Sequence, residues 1–135
     1  MIEFESVLSL ILATVLGAIV GIEREITKKP AGLRTHMLVS LGSCLFTIVS
    51  VHNFSSDPAR VAASIVTGMG FIGAGAIIAE RGRVVGVTTA ASLWVTGSIG
   101  LCTGTGNYLL SIAATIIIFL VLFSKKMLRK ERKSD

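Results

Sequence analysis

The chain is 135 residues long, 52% hydrophobic and only 16% charged, with a mean hydropathy of +0.79. It therefore lacks the polar surface of a water-soluble domain, in which about 25% of residues are charged. Two cysteines without metal-ligand spacing argue against a disulfide scaffold or a zinc site, and no nucleophile with a paired base supports an enzyme.

The apolar residues fall in blocks near span length rather than at a helical or alternating period, which predicts an all-α, polytopic membrane helix bundle. Five spans are expected, at about 7–22, 36–51, 61–79, 88–103 and 108–123, giving a transmembrane domain over 1–124 and a basic cytoplasmic tail over 125–135. At about 1.5 Å per residue the shorter blocks barely cross a hydrocarbon core about 30 Å thick, so the helices should run on into flanking polar residues.

The first block follows MIEFESVLSL, where Glu3 and Glu5 stand in place of the basic residues of a secretory signal, so the segment is expected to stay as an anchor. Within it Ala13, Gly17 and Gly21 recur at i, i+4 and i+8, a small-residue face that admits another helix, from the same chain or from a second copy. The next stretch, 23-EREITKKPAGLRT-35, is broken by Pro30 and Gly32 and reads as a tight inner turn. Glu23, Arg24 and Glu25 are either an interfacial charge cluster or the start of a polar site. In the second reading Glu23, two residues past Gly21, points into the bundle and needs Arg24, Arg34 or a cation as its partner. His36 reads as a residue at the membrane border.

Before the third block, Asp57 suits a helix N-cap and Pro58 the first helical position. Arg60 then stands in the first helical turn, where the helix dipole disfavours a cation. Either it pairs with Asp57 and snorkels, or it guards an outer vestibule. The stretch 68-GMGFIGAGAI-77 contains a literal G-x-G-x-x-G, but a helix rather than a strand leads into it and no acid follows about 20 residues on, so the dinucleotide reading fails. At about 100° per residue, Ala63, Thr67, Gly70 and Ala74 share one face while Ser64, Gly68 and Gly75 share another. Gly68, Gly70, Gly73 and Gly75 are accordingly expected to be packed on from several directions.

The fourth block, 88-TTAASLWVTGSIGLCT-103, is the least apolar and should be shielded by other helices or partly broken. Thr88, Thr89 and Ser92 offer hydroxyls there, most simply bonded to their own backbone carbonyls, and Trp94 reads as a packing or interfacial aromatic. Cys44 and Cys102 read as packing thiols.

Orientation follows from the cations. With the N-terminus outside, twelve of the thirteen basic residues lie on the cytoplasmic side, leaving only Arg60 outside. The tail's cations then pair with anionic lipid rather than with nucleic acid.

Three blocks, 21-GIEREITKKPAGLRTHMLVSLGSCLF-46, 60-RVAASIVTGMGFIGAGAII-78 and 86-GVTTAASLWVTGSIGLCTGTG-106, closely resemble the membrane domain of the MgtC/SapB family in order and spacing. Glu23, Arg24, residues 31–35 including Arg34 and Thr35, Arg60, the glycines from Gly68 to Gly75, and Thr89, Ala90, Ala91 and Trp94 match the family pattern. Many members continue into a soluble C-terminal domain where this sequence has only a short basic tail, and some carry Asn where Thr88 stands. The resemblance implies a bacterial inner-membrane protein linked to magnesium homeostasis. It implies either a transporter or a regulator that binds a membrane partner such as the ATP synthase.

Two function classes follow. A Mg²⁺ pathway needs oxygen ligands and tolerates retained waters, which Glu23, Glu25, Thr88 and Thr89 could supply, with Glu23 the metal-ligand candidate and Mg²⁺ a substrate rather than a cofactor. A regulator needs only a small-residue face for a partner helix, and a homo-oligomer would use the same faces.

Overall fold

The computed structural model describes residues 2–80 and 82–131. Among these, each apolar block forms a helix: α1 (Ile2–Ile26), α2 (Leu33–Asn53), α3 (Pro58–Ala74), α4 (Val87–Gly104) and α5 (Tyr108–Glu131). The helices do run past the blocks into polar residues. α1 takes Glu3 and Glu5 into its first turn and Arg24 into its last, each charge complementing the helix dipole. It ends before Pro30, with Lys28 at a positive φ of 52°. The Glu25 carboxylate then accepts a hydrogen bond from the Leu33 N–H at 2.9 Å, so the last turn of α1 caps the first turn of α2.

α3 has Pro58 in its first turn and Asp57 at the N-cap position, but no side chain caps it. The Asp57 carboxylate is turned instead to Arg60.

The fold is the expected helical bundle of five helices, but one expectation needs correction: the third block does not stay helical to its end. After Ala74 it turns at Gly75 and continues as a small antiparallel hairpin, β1 (Ile78–Glu80) with β2 (Arg83–Val85), in which Ile78 pairs with Val85 and Glu80 with Arg83. β-branched residues favour the extended chain there. Gly82, at φ +76°, supplies a conformation that other residues rarely adopt. Gly86 is required twice over: its φ is +90°, and the Ala76 carbonyl oxygen occupies the space where a side chain would begin.

α2 packs on α1 and α4, which also touch each other; α3 packs mainly on α4, and α5 on α1 and α4. α4, expected to need shielding, is one unbroken helix with Thr89, Ser92, Leu93, Thr96, Gly97, Ile99, Gly100 and Thr103 buried.

The interior is unusually polar. Among the described residues fourteen polar or charged ones are buried against eleven hydrophobic ones, while large apolar side chains such as Leu38, Phe46, Phe71, Leu109 and Ile117 face outward. Small apolar clusters, such as Leu16, Val20, Ile99 and Leu122, fill the remaining spaces. Among the described residues two helices, Glu3–Ile26 and Leu33–Asn53, are long and apolar enough to cross a membrane; Pro58–Ala74 and Tyr108–Ser124 are shorter apolar helices.

Candidate functional site

On α2, His36, Ser40, Ser43, Thr47 and Ser50 recur at spacings of four and three, which puts all five on one helix face, and all five are buried. α4 answers with Thr89, Ser92, Thr96 and Thr103. These helices can approach because glycines remove the bulk between them. A β-carbon at Gly17 would stand 2.6 Å from the His36 carbonyl oxygen, and one at Gly21 would stand 2.7 Å from Leu33 Cα. On α4, Gly100 abuts the Ser40 carbonyl oxygen, and a β-carbon at Gly104 would lie 2.7 Å from Thr47 Cβ. Such separations exclude any side chain.

The two ends of this polar face differ. At one end His36 is fully buried, with Nδ1 2.8 Å from the Gly32 carbonyl oxygen and Nε2 3.0 Å from Ser92 Oγ. The carbonyl can only accept, so Nδ1 carries a hydrogen. Nε2 then accepts from Ser92 if the ring is neutral and donates to it if the ring is charged. In the second case the serine hydroxyl is free to donate to the Thr89 carbonyl oxygen, 2.7 Å away. Gly21 packs against the His36 β-carbon, and two residues further along α1 the side chains of Glu23 and Arg24 form a buried ion pair with exposures of 6% and 3%. Arg24 directs both Nε and an Nη to one Glu23 carboxylate oxygen. The partner of Glu23 is therefore its own chain neighbour.

Midway, Thr47, Thr96 and Thr103 donate to carbonyls one turn back at 2.7, 2.7 and 2.8 Å. Ser40 Oγ and Ser43 Oγ are buried without a hydrogen-bond partner. At the other end Ser9 of α1 and Tyr108 of α5 join their hydroxyls at 2.8 Å beside a cavity of about 280 Å³.

The structure brings together only part of the residues expected from the sequence. Glu23, Arg24 and Thr89 are buried near His36, whereas Arg34 and Thr88 are exposed and Thr35 is half-buried. Glu25 is exposed and serves the turn. Arg60 is 81% exposed and lies 3.1 Å from Asp57, at the far end of the bundle from Glu23.

The packing expectation for the third helix also needs correction. Gly73 does meet a neighbour, with a β-carbon there 3.2 Å from the Ala90 carbonyl oxygen, but Gly68 and Gly70 face open space and Gly75 meets only carbonyls of its own helix. The reason is that α3 is peripheral, with only Ile65 and Gly73 buried. What was missed is His36, which reads locally as a border residue, and the α4 glycines. The G-x-x-x-G at 100–104 carries the same signal as the one found in α1.

The sequence profile of the MgtC family matches residues 10–131. The chain is 46% identical over 127 residues to an Escherichia coli K12 protein named "Putative magnesium transporter YhiD", covering 87% of this chain and 59% of that one. It is 44% identical over 118 residues to Protein MgtC of Salmonella typhimurium LT2, covering 87% and 51%. An uncharacterized protein of Haemophilus influenzae is 34% identical over 139 residues, covering 93% and 58%. The chain thus spans between about half and three-fifths of the length of these curated relatives. No solved structure matches.

Proposed function

The chain belongs to the MgtC family, and we propose that it is a multi-pass protein of the bacterial inner membrane that serves magnesium homeostasis by passing Mg²⁺ along the polar face between α1, α2 and α4. In this reading all five helices cross the bilayer, with the N-terminus outside. The observation that carries it is the inverted distribution of polarity: hydroxyls, an imidazole and an ion pair inside, and an apolar exterior. In water such a surface would aggregate; in lipid it is the stable arrangement, and polar groups held inside it mark a path or a site. The cations agree with it, since the α1–α2 turn with the helix ends beside it, the hairpin and the tail carry all but Arg60. Magnesium as cargo is supported by the name of the 46% identical relative. Hydroxyl and carboxylate oxygens suit that hard cation.

The test is flux into liposomes holding a magnesium-sensitive dye, with and without the purified chain. Dye response above that of empty liposomes, lost when Glu23 and Arg24 are together replaced by Gln, is the expected result. No flux beside an active control transporter would end the transport reading.

A second reading has its own support. α3 leaves Gly68 and Gly70, on two of its sides, with nothing within 4 Å, open small-residue positions that a helix of a membrane partner or of a second copy could approach, as a non-transporting regulator requires.

A further inference from the structure

Away from the Glu23–Arg24 pair, the first turns of α1 and α5 meet the last turns of α2 and α4 around the 280 Å³ cavity, whose polar lining is Glu5, Ser6, Ser9, His52, Thr105 and Tyr108. Its hydrogen bonds run one way. Ser9 Oγ donates to the Glu5 carbonyl oxygen at 2.9 Å, so the Tyr108 hydroxyl must donate to Ser9 Oγ, leaving the tyrosine oxygen with only lone pairs to offer. Thr105 likewise spends its hydrogen on the Cys102 carbonyl oxygen at 2.8 Å while accepting from Asn107. Glu5 supplies a carboxylate. Among the described residues neither Lys nor Arg lines the cavity, and Arg60, at this end of the bundle, is engaged by Asp57.

Ser6 and His52 bring donors as well as acceptors to the lining, but the one formal charge is negative and the Tyr108 and Thr105 oxygens beside it have only lone pairs to offer, which favours something positive that is coated with hydrogen-bond donors. Among the described residues no group of three or more His, Cys, Asp or Glu could hold a bare metal ion. The space is ample for an ion that keeps its water, since six waters at about 30 Å³ each occupy about 180 Å³. We propose that this cavity is an outer-sphere site for a hydrated divalent cation, gripped through its bound waters by the Glu5 carboxylate and the Tyr108 oxygen. Mg²⁺, which gives up water reluctantly, is the cation of that class best suited to it. The choice of ion rests on the magnesium reading above; the binding itself requires no transport.

The experiment uses the full chain in nanodiscs of zwitterionic lipid. Mn²⁺, followed by loss of its free electron-paramagnetic signal, is titrated in and then challenged with hexaamminecobalt(III), an inert complex that presents only N–H donors. Mn²⁺ should bind and the cobalt complex should displace it. Glu5→Gln should weaken binding about tenfold and Tyr108→Phe less, while Glu3→Gln should bind as the parent does; the two Gln variants should melt with the parent, and Tyr108→Phe, which loses its bond to Ser9, somewhat below it. Absence of binding, binding untouched by the cobalt complex, or equal binding by Glu5→Gln would each overturn the site. Binding without liposome flux would leave the site standing and remove transport. Flux that Glu5→Gln does not alter, together with unaltered binding, would remove the site alone.

Discussion

Gly17 and His36 meet backbone to backbone, with the glycine where a β-carbon would come within 2.6 Å of the histidine carbonyl oxygen. Gly17→Ala should therefore destabilise the bundle by about 1–3 kcal/mol through overpacking. Gly70 stands in open space on a helix, so Gly70→Ala should be neutral or stabilise by up to about 1 kcal/mol. Melting in detergent compares them directly; equal losses would contradict the assigned contacts.

The Glu23–Arg24 pair is a buried charge pair, and removing one partner strands the other. Glu23→Gln or Arg24→Gln alone should cost about 3–5 kcal/mol, and the double variant should recover much of that. Arg34→Gln, on an exposed side chain, should melt like the parent. Additive losses in the double variant would show that the two charges do not depend on each other.

His36 joins Gly32 and Ser92, so His36→Leu removes two side-chain hydrogen bonds, although the Gly32 carbonyl still accepts from the backbone N–H of residue 36 and the Ser92 hydroxyl still reaches the Thr89 carbonyl. A loss of about 0.5–1.5 kcal/mol per lost bond is expected. His36→Gln, able to replace one of the two bonds, should fall between Leu and the parent. If Leu and Gln were equally stable, the imidazole would be filling space and nothing more.

Topology can be read by labelling. In a chain lacking Cys44 and Cys102, Ser55→Cys in the α2–α3 turn should react with an impermeant reagent added to intact cells, and Arg83→Cys in the hairpin should not. The opposite pattern would invert the proposed orientation.

The helices were legible because length and apolarity are local properties, as are the Pro58 start and the Pro30–Gly32 break. The hairpin was not, since 75-GAIIAERGRVVG-86 prolongs the preceding apolar run, and what separates it from helix is the positive φ at Gly82 and Gly86. The fate of His36 was hidden for a different reason: its burial depends on Gly17 and Gly21, which belong to another helix. Gly68 and Gly70 obey the same spacing rules as Gly97, Gly100 and Gly104, yet only the α4 set is pressed by neighbours. Small residues announce that close approach is permitted; the order of helices in the bundle decides where it happens. Of the candidate site, the Glu23–Arg24 neighbourhood could be read from the sequence, whereas its link through His36 to Ser92, and the cavity at the other end, needed the third dimension.

The hydrogen bonds of the polar face also have a mechanical side. Side chains bridge between helices near its two ends, His36 to Ser92 and Ser9 to Tyr108. Along the stretch between, Thr47, Thr96 and Thr103 each return their hydrogen to their own helix. The bundle is thus riveted at its rims and unlatched at its waist. A small slide or twist of α2 against α4 there would rub one smooth surface of hydroxyls and glycines over another, while these three hydrogen bonds travel intact with the helices that own them.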